Sequence, residues 1–359
     1  MYTLPNGIRL WYETLDQTRR RRGAMMDSMG VRALESPWNK ILERPGMRLR
    51  HYGSRSANGP VALIIPAPIK RPYIWDLSPG RSVVRHALAH GLQVYLIEWT
   101  DPAGESTAYG LEQYADTLID RCIGAIRTHH RRGRKVFLLS HSLGGVFATI
   151  YAALHAERVA GLVSVEAPLH FADASGSFTP LVSFGPHAIS IARWFDTIPG
   201  SLLSQVSIAA SPTSFCAERY ADFVNSLESL NTLEGHLLVQ RWTMDEASMA
   251  RPLFEEVVDH LYREDRFMRG QLTIHGRQLG PSDVVSPLLA VYDPRSLIIP
   301  PASIIDFQEA AASRIKRVLP YHGDIGVGLA HVGALIGRNA HERLWPEIFD
   351  WIGTVDAMH

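Results

Sequence analysis

The sequence predicts an α/β fold: a mostly parallel central sheet covered by helices on both faces. Three observations predict it. Short, continuously apolar runs alternate with longer segments of helical spacing, and runs with no polar alternation are strands buried on both faces. One run ends in a tight, glycine-bearing turn that leads directly into an alanine-rich helix. The chain has 359 residues and is 46% hydrophobic, enough for one large α/β domain with an insertion, or for two domains.

The elements follow in order. Val61–Ile65 (VALII) is a strand that runs into a proline-rich turn, and Gln93–Trp99 (QVYLIEW) is a second. Leu111–His129 has helical spacing and ends in a polar loop, His130–Lys135. Val136–Leu139 (VFLL) is a third strand, Val146–His155 (VFATIYAALH) the alanine-rich helix, and Gly161–Val165 (GLVSV) a fourth strand. Pro287–Tyr292 (PLLAVY) and Ile315–Leu319 (IKRVL), separated by a helix, are two more.

Two regions break this rhythm. Residues 1–48 form a polar N-terminal segment whose run Arg19–Arg22 reads as solvated, with an interaction patch as the alternative. Residues 171–283 are rich in aromatics, among them Phe178, Trp194, Phe195, Trp242, Phe254 and Tyr262, and show helical patterning over Met249–Tyr262. A linker would lack such apolar content, so this segment reads as a mainly helical cap. The core is thereby split into residues 49–170 and 284–359.

Charge excludes some functions. With 36 basic and 36 acidic residues the formal net charge is zero, which gives no support for binding nucleic acid or an anionic membrane. No run of 18 apolar residues and no leader-like N-terminus is seen, so a cytoplasmic protein without a membrane span is expected. Cys122 and Cys216 read as ordinary buried thiols. Neither a phosphate-binding glycine loop nor metal-ligand spacing is visible, so no cofactor and no metal are expected.

The chemistry is carried by "VFLLSHSLGG". A strand, a tight turn bearing Ser142 and then a helix is the context of a nucleophile elbow, where small flanking residues are needed because the turn is strained and crowded. Gly144 meets that need after the serine, and Ser140 stands before it where glycine is usual. A buried turn serine is the alternative. His141, the sequence neighbour of Ser142, points elsewhere at such a turn. The general base is expected after the last strand, where His331 begins the terminal helical segment; His341 reads as a solvated helix residue and His322 as a loop residue. An oxyanion hole takes one N–H from Leu143 and one from the "PAPIK" turn. There Pro66 and Pro68 have none to give, which leaves Ala67 or Ile69.

With these motifs in order, "IIPAPIKRPYIWDLSP", "VYLIEWTDP", "LLSHSLGG", "LIIPPAS" and "HVGALIGRNAHERLWPEIFDWI", the sequence over residues 48–359 resembles poly(3-hydroxyalkanoate) synthases, chiefly the short class III type. The resemblance implies an α/β-hydrolase fold with the cap inserted after the sixth strand of the fold. It supports His331 as base and favours Ile69 over Ala67. It also implies cysteine where Ser142 stands, and aspartate where Ser296 stands before "LIIPP". A serine ester is commonly released by water, whereas a thiolate suits repeated acyl shuttling.

A replacement acid is offered by Glu166, at the end of "GLVSVE" on the carboxyl edge of the sheet. Some haloalkane dehalogenase-like hydrolases, which this arrangement resembles, carry their acid there. Asp293 is the rival acid and Asp306 a third. Trp194 and Phe195 are candidates to line an apolar acyl site. The leading expectation is a serine ester hydrolase acting on small or oligomeric esters, hydroxyalkanoates included. An acyltransferase or synthase-like polymerase, and a non-catalytic interaction protein, are the alternatives. Homo-oligomer formation and granule association are the partner readings beside the ester substrate.

Overall fold

The six apolar runs are all strands of one eight-stranded sheet. The computed structural model describes residues 4–53, 59–130, 135–171, 174, 176–324, 327 and 329–358. The sheet strands are β1 (Trp38–Arg44), β2 (Met47–Tyr52), β3 (Val61–Ile65), β4 (Gln93–Trp99), β5 (Val136–His141), β6 (Val159–Val165), β7 (Leu288–Tyr292) and β8 (Lys316–Pro320). Their spatial order is β1-β2-β4-β3-β5-β6-β7-β8. From β4 onward in that order the pairs are parallel, and β1 and β2 add an antiparallel hairpin at one edge.

Alternate strand residues feed two cores, as the two-residue strand period requires. Val61, Leu63, Ile65 and Leu138 face helices α3 (Leu118–His129) and α4 (Leu143–Leu154), together with Leu111, Tyr114 and Phe147. Ala62, Ile64, Phe137 and Leu139 face the other side, where Val83, Val84, Trp345, Ile348 and Ile352 pack. Both faces of the inner strands are therefore dry, as the uninterrupted apolar runs predict, while the edge strands β1 and β8 are largely exposed.

Between β6 and β7 lie residues 166–287, whose described residues form six α-helices, from Thr179–Phe184 to Arg251–Glu256. The strand limits enclose the span 171–283 expected for the insertion.

The N-terminal segment differs from its expectation. Leu4–Ser28 is one helix, α1, of 25 residues, and β1 and β2 belong to the sheet, so the boundary expected at residue 48 falls inside β2. Of the arginine run, Arg20, Arg21 and Arg22 are exposed as expected, but Arg19 is half-buried. It pairs with Asp16 at 2.6 Å and with Glu246 of the insertion, while Asp16 accepts bonds from Ser201 N at 2.9 Å and Ser201 Oγ at 2.5 Å. Arg241 holds Asp27 through two 2.8 Å bonds. Helix α1 thus docks on the insertion through these polar pairs and through Tyr12, whose ring lies 5.6 Å from that of Phe195. In β2, Arg50 is buried because Glu98 (2.8 Å) and Glu35 (2.5 Å) neutralise it.

Other expectations also change. Cys216 is exposed, whereas Cys122 is buried as expected. His341 is buried, its ring 4.6 Å from that of His86, and is not a surface histidine. Of the loop His130–Lys135, residues 131–134 lie outside the described residues. Among the described residues no helix is long and apolar enough to cross a membrane.

Candidate active site

The turn after β5 is built by close packing. Ser142 has φ 53 and ψ −133, a conformation costly for a residue with a Cβ, typically about 1–3 kcal/mol. Its N–H donates to Val165 O at 3.0 Å and its carbonyl accepts from Gly145 N at 2.8 Å, which holds the turn. A Cβ on Gly144 would lie 2.2 Å from Ile65 O, and one on Gly145 would lie 2.3 Å from Ala167 Cβ. Helix α4 therefore approaches the ends of β3 and β6 at a distance that only glycine permits. Ser140 fits where glycine is usual because its hydroxyl is spent on Val163 O, 2.9 Å away.

At the carboxyl end of β6, Glu166 also has a positive φ, 44. Its Oε2 accepts a hydrogen bond from His331 Nδ1 at 2.9 Å. His331 lies in a single turn, Ala330–Val332, that opens the C-terminal helical segment. The Nδ1 contact leaves Nε2 as the nitrogen available to a reacting group. His331 and Ser142 both line one cavity of about 330 Å³. Burial pushes the His331 imidazole below its ordinary range, so it is held neutral and able to take a proton. Burial also pushes the Glu166 carboxyl up; His141 opposes that rise and the nearby charge of Asp293 adds to it.

The other candidates are engaged by other partners or exposed. Asp293 follows β7, and its Oδ1 accepts from Arg295 N at 2.8 Å. Asp306 pairs with His170 at 2.7 Å. His322 is exposed. Ser296 caps a turn, its Oγ accepting from Ile299 N at 3.1 Å. His141 gives its Nε2 to the backbone carbonyl of His331 (2.9 Å), and burial pushes its imidazole down to about 3. His141 thus acts as a strut under the His331 turn.

Leu143 is the first residue of α4, and a helix's first N–H groups have no partner within the helix. Both Ala67 and Ile69 line the cavity beside it. Trp99 Nε1 donates to Pro66 O at 2.7 Å and fixes the start of that turn. The insertion fixes its end: Ala247 N donates to Ile69 O at 2.9 Å, and Lys70 Nζ meets Glu246 at 2.7 Å.

Trp194 and Phe195 do not line the cavity. Phe195 is buried edge-on beneath Tyr12 of α1, ring centroids 5.6 Å apart, and Trp194 Nε1 is bonded to Ser190 O at 2.9 Å. Phe178, Phe215, Trp242, Phe254 and Tyr262 form the aromatic wall instead. Phe254, Val258 and Tyr262 recur at a spacing of four within Met249–Tyr262, a stripe readable in the sequence. A second cavity, of about 320 Å³, carries charged groups, with Asp293, Asp324 and Arg295 lining it beside Glu166 and Ser296, and His331 belongs to both walls.

Comparison with known proteins agrees with this architecture. The model of the Alpha/beta hydrolase family matches residues 62–335. The poly(3-hydroxyalkanoate) polymerase subunit PhaC of Allochromatium vinosum is 27% identical over 354 residues, covering 96% of this chain and 97% of that protein. The subunit of the same name from Thiocystis violacea is 26% identical, covering 96% of each. Among solved structures, the enol-lactonase from Burkholderia xenovorans superposes with a TM-score of 0.54 at 15% identity, covering 88% of this chain and 100% of that one, a likeness of fold alone.

Proposed function

The chain belongs to the alpha/beta hydrolase family, and on that premise we propose that it is an acyl-transfer enzyme working through an acyl-ester on Ser142. The single observation that carries this reading is the 2.9 Å contact between His331 Nδ1 and Glu166 Oε2, at a cavity shared with the strained Ser142 turn. His331 Nε2 takes the Ser142 hydroxyl proton as Oγ attacks an acyl carbonyl. Glu166 keeps the imidazole in the right tautomer and offsets its charge. The N–H groups of Leu143 and Ile69 receive the developing oxyanion. His331 returns the proton to the leaving thiolate or alkoxide. An incoming hydroxyl then gives its proton to His331 and takes the acyl group, and Ser142 is restored. The insertion acts as the cap, its aromatic wall holding the acyl chain.

The acceptor divides two readings. The named relatives are polymerases, which favours transfer of hydroxyacyl groups to the hydroxyl of another hydroxyacyl unit. Ester hydrolysis, the leading expectation from sequence, takes second place. It is favoured by Ser142 itself, which stands where the resemblance to synthases implies cysteine, because serine esters are readily released by water. The deciding experiment is product analysis with 3-hydroxybutyryl-coenzyme A, with Ser142→Ala as control. Oligomeric hydroxyester products support the first reading and free hydroxy acid the second. Ser142-independent turnover, or none with this thioester or with a p-nitrophenyl ester, overturns both.

A further inference from the structure

Away from Ser142, at the edge of the sheet where the parallel strands begin, three imidazoles converge on one phenol. His51 of β2 sits opposite Tyr95 of β4 in the strand register. His129 ends α3, and His130 follows with extended backbone (φ −111, ψ 178). That change of backbone turns two sequence neighbours toward the same point. Tyr95 Oη lies 2.6 Å from His129 Nδ1 and 2.5 Å from His130 Nε2. The His51 ring centroid is 4.7 Å from that of Tyr95 and 5.0 Å from that of His129. One nitrogen from each of the three histidines lies within 4.8 Å of the others.

We propose that His51, His129 and His130, with the Tyr95 phenol oxygen as fourth donor, bind one divalent transition-metal ion of the zinc or copper type. Three imidazoles and one oxygen are a donor set suited to such ions, which accept four ligands at about 2.0–2.2 Å. Tetrahedral bonds of that length put donors about 3.4 Å apart, between the short phenol contacts and the outer limit of the cluster. The ion takes the place of the phenol proton, which leaves to solvent, and the donors spread slightly to admit it. The carboxyl-terminal end of α3 supplies negative potential beside a cation. His51 and Tyr95 are buried, which gives the site a rigid floor, while His129 and His130 are half-buried and leave a way in. An ion here ties the end of α3 to β2 and β4. The sequence hides the site because its ligands are 78 residues apart between His51 and His129, with no recognised spacing.

The test uses the full chain after treatment with a chelator. Zn²⁺ is titrated by calorimetry and in thermal melts, and Cu²⁺ serves as an optical probe. The expected result is one ion per chain and a melting temperature raised by a few degrees. Affinity should fall on the order of a hundredfold in His129→Gln and in His130→Gln. A phenolate-to-copper absorption band should appear in the wild type and vanish in Tyr95→Phe. The absence of saturable binding by either ion, or unchanged affinity and stoichiometry in both histidine variants, overturns the site. A copper band unchanged in Tyr95→Phe overturns the phenol as a ligand.

Discussion

His331 and Glu166 stand 165 residues apart in the chain and meet at 2.9 Å. Their meeting joins the turn after the last strand to the end of β6, across the neighbouring strand β7. Glu166 has the longer acidic side chain and reaches across from there. Asp293, at the end of β7, is engaged by the N–H of Arg295 instead.

That relationship predicts a difference between two isosteric changes. Glu166→Gln should lower kcat by up to about four orders of magnitude, because the amide cannot hold the imidazole in its working tautomer or offset its charge. Asp293→Asn should lower it far less. Kinetics with a p-nitrophenyl ester checks both. A crippled Asp293→Asn beside an active Glu166→Gln would reverse the assignment of the acid.

Ser142→Ala should remove acyl turnover by several orders of magnitude while leaving the melting temperature near that of the wild type. The alanine loses only a hydroxyl from a half-buried turn. Near-normal turnover in this variant would exclude Ser142 as nucleophile.

Gly144→Ala is expected to act through packing. The added Cβ would lie 2.2 Å from the Ile65 carbonyl oxygen, a backbone atom at the end of a central strand. Either α4 moves away from β3 or the turn distorts. The expected loss is about 3 kcal/mol of stability, measured by urea denaturation, accompanied by lost turnover.

The cavity wall should set acyl-chain preference. Phe178→Ala and Tyr262→Ala enlarge the apolar wall and should shift kcat/KM between short and long p-nitrophenyl esters about tenfold. Trp194→Ala, outside the cavity, should leave the preference unchanged. Equal effects from all three would remove the aromatic wall from the account.

Stability should fall on the acid side through buried histidines. Burial lowers the imidazoles of His341 and His331 to about 4 and that of His141 to about 3, from 6.5. Above pH 6.5 each is neutral whether folded or unfolded, and its contribution is fully present. As pH falls from 6.5 toward 4 the unfolded chain takes up protons that the folded chain excludes, and stability is lost. Glu166 has the opposite sign: its raised carboxyl costs stability as pH rises above its ordinary 4.5. Three histidines outweigh one carboxyl between those limits. His341→Gln should therefore shrink the difference in urea midpoint between pH 7.5 and pH 5. An unchanged difference would sink this explanation.

Much of this protein is legible in its sequence. The unbroken apolar run Val61–Ile65 matches β3 residue for residue, because a strand buried on both faces has no polar position to blur its limits, and Gln93–Trp99 matches β4 although Glu98 interrupts its apolar run. The Ser142 turn is legible too, since the glycines it needs are local to it. What escaped depends on partners distant in sequence. Helix α1 and strand β2 bury Asp16 and Arg50, and half-bury Arg19, by pairing them with Ser201, Glu98 and Glu246, so these inward positions carry charges and read as solvent-facing. The same holds for the aromatics: composition places them in the insertion, but only tertiary packing puts Phe195 under Tyr12 and Phe178 on the cavity wall. The sequence by itself determined the six parallel strands of the sheet, the tight Ser142 turn and the set of candidate acids and bases, because these follow from periodicity and neighbouring residues. Only the tertiary structure decided that Glu166 faces His331 and that His51 joins His129 and His130 beside Tyr95, because such contacts depend on which strands lie side by side and on where each helix ends.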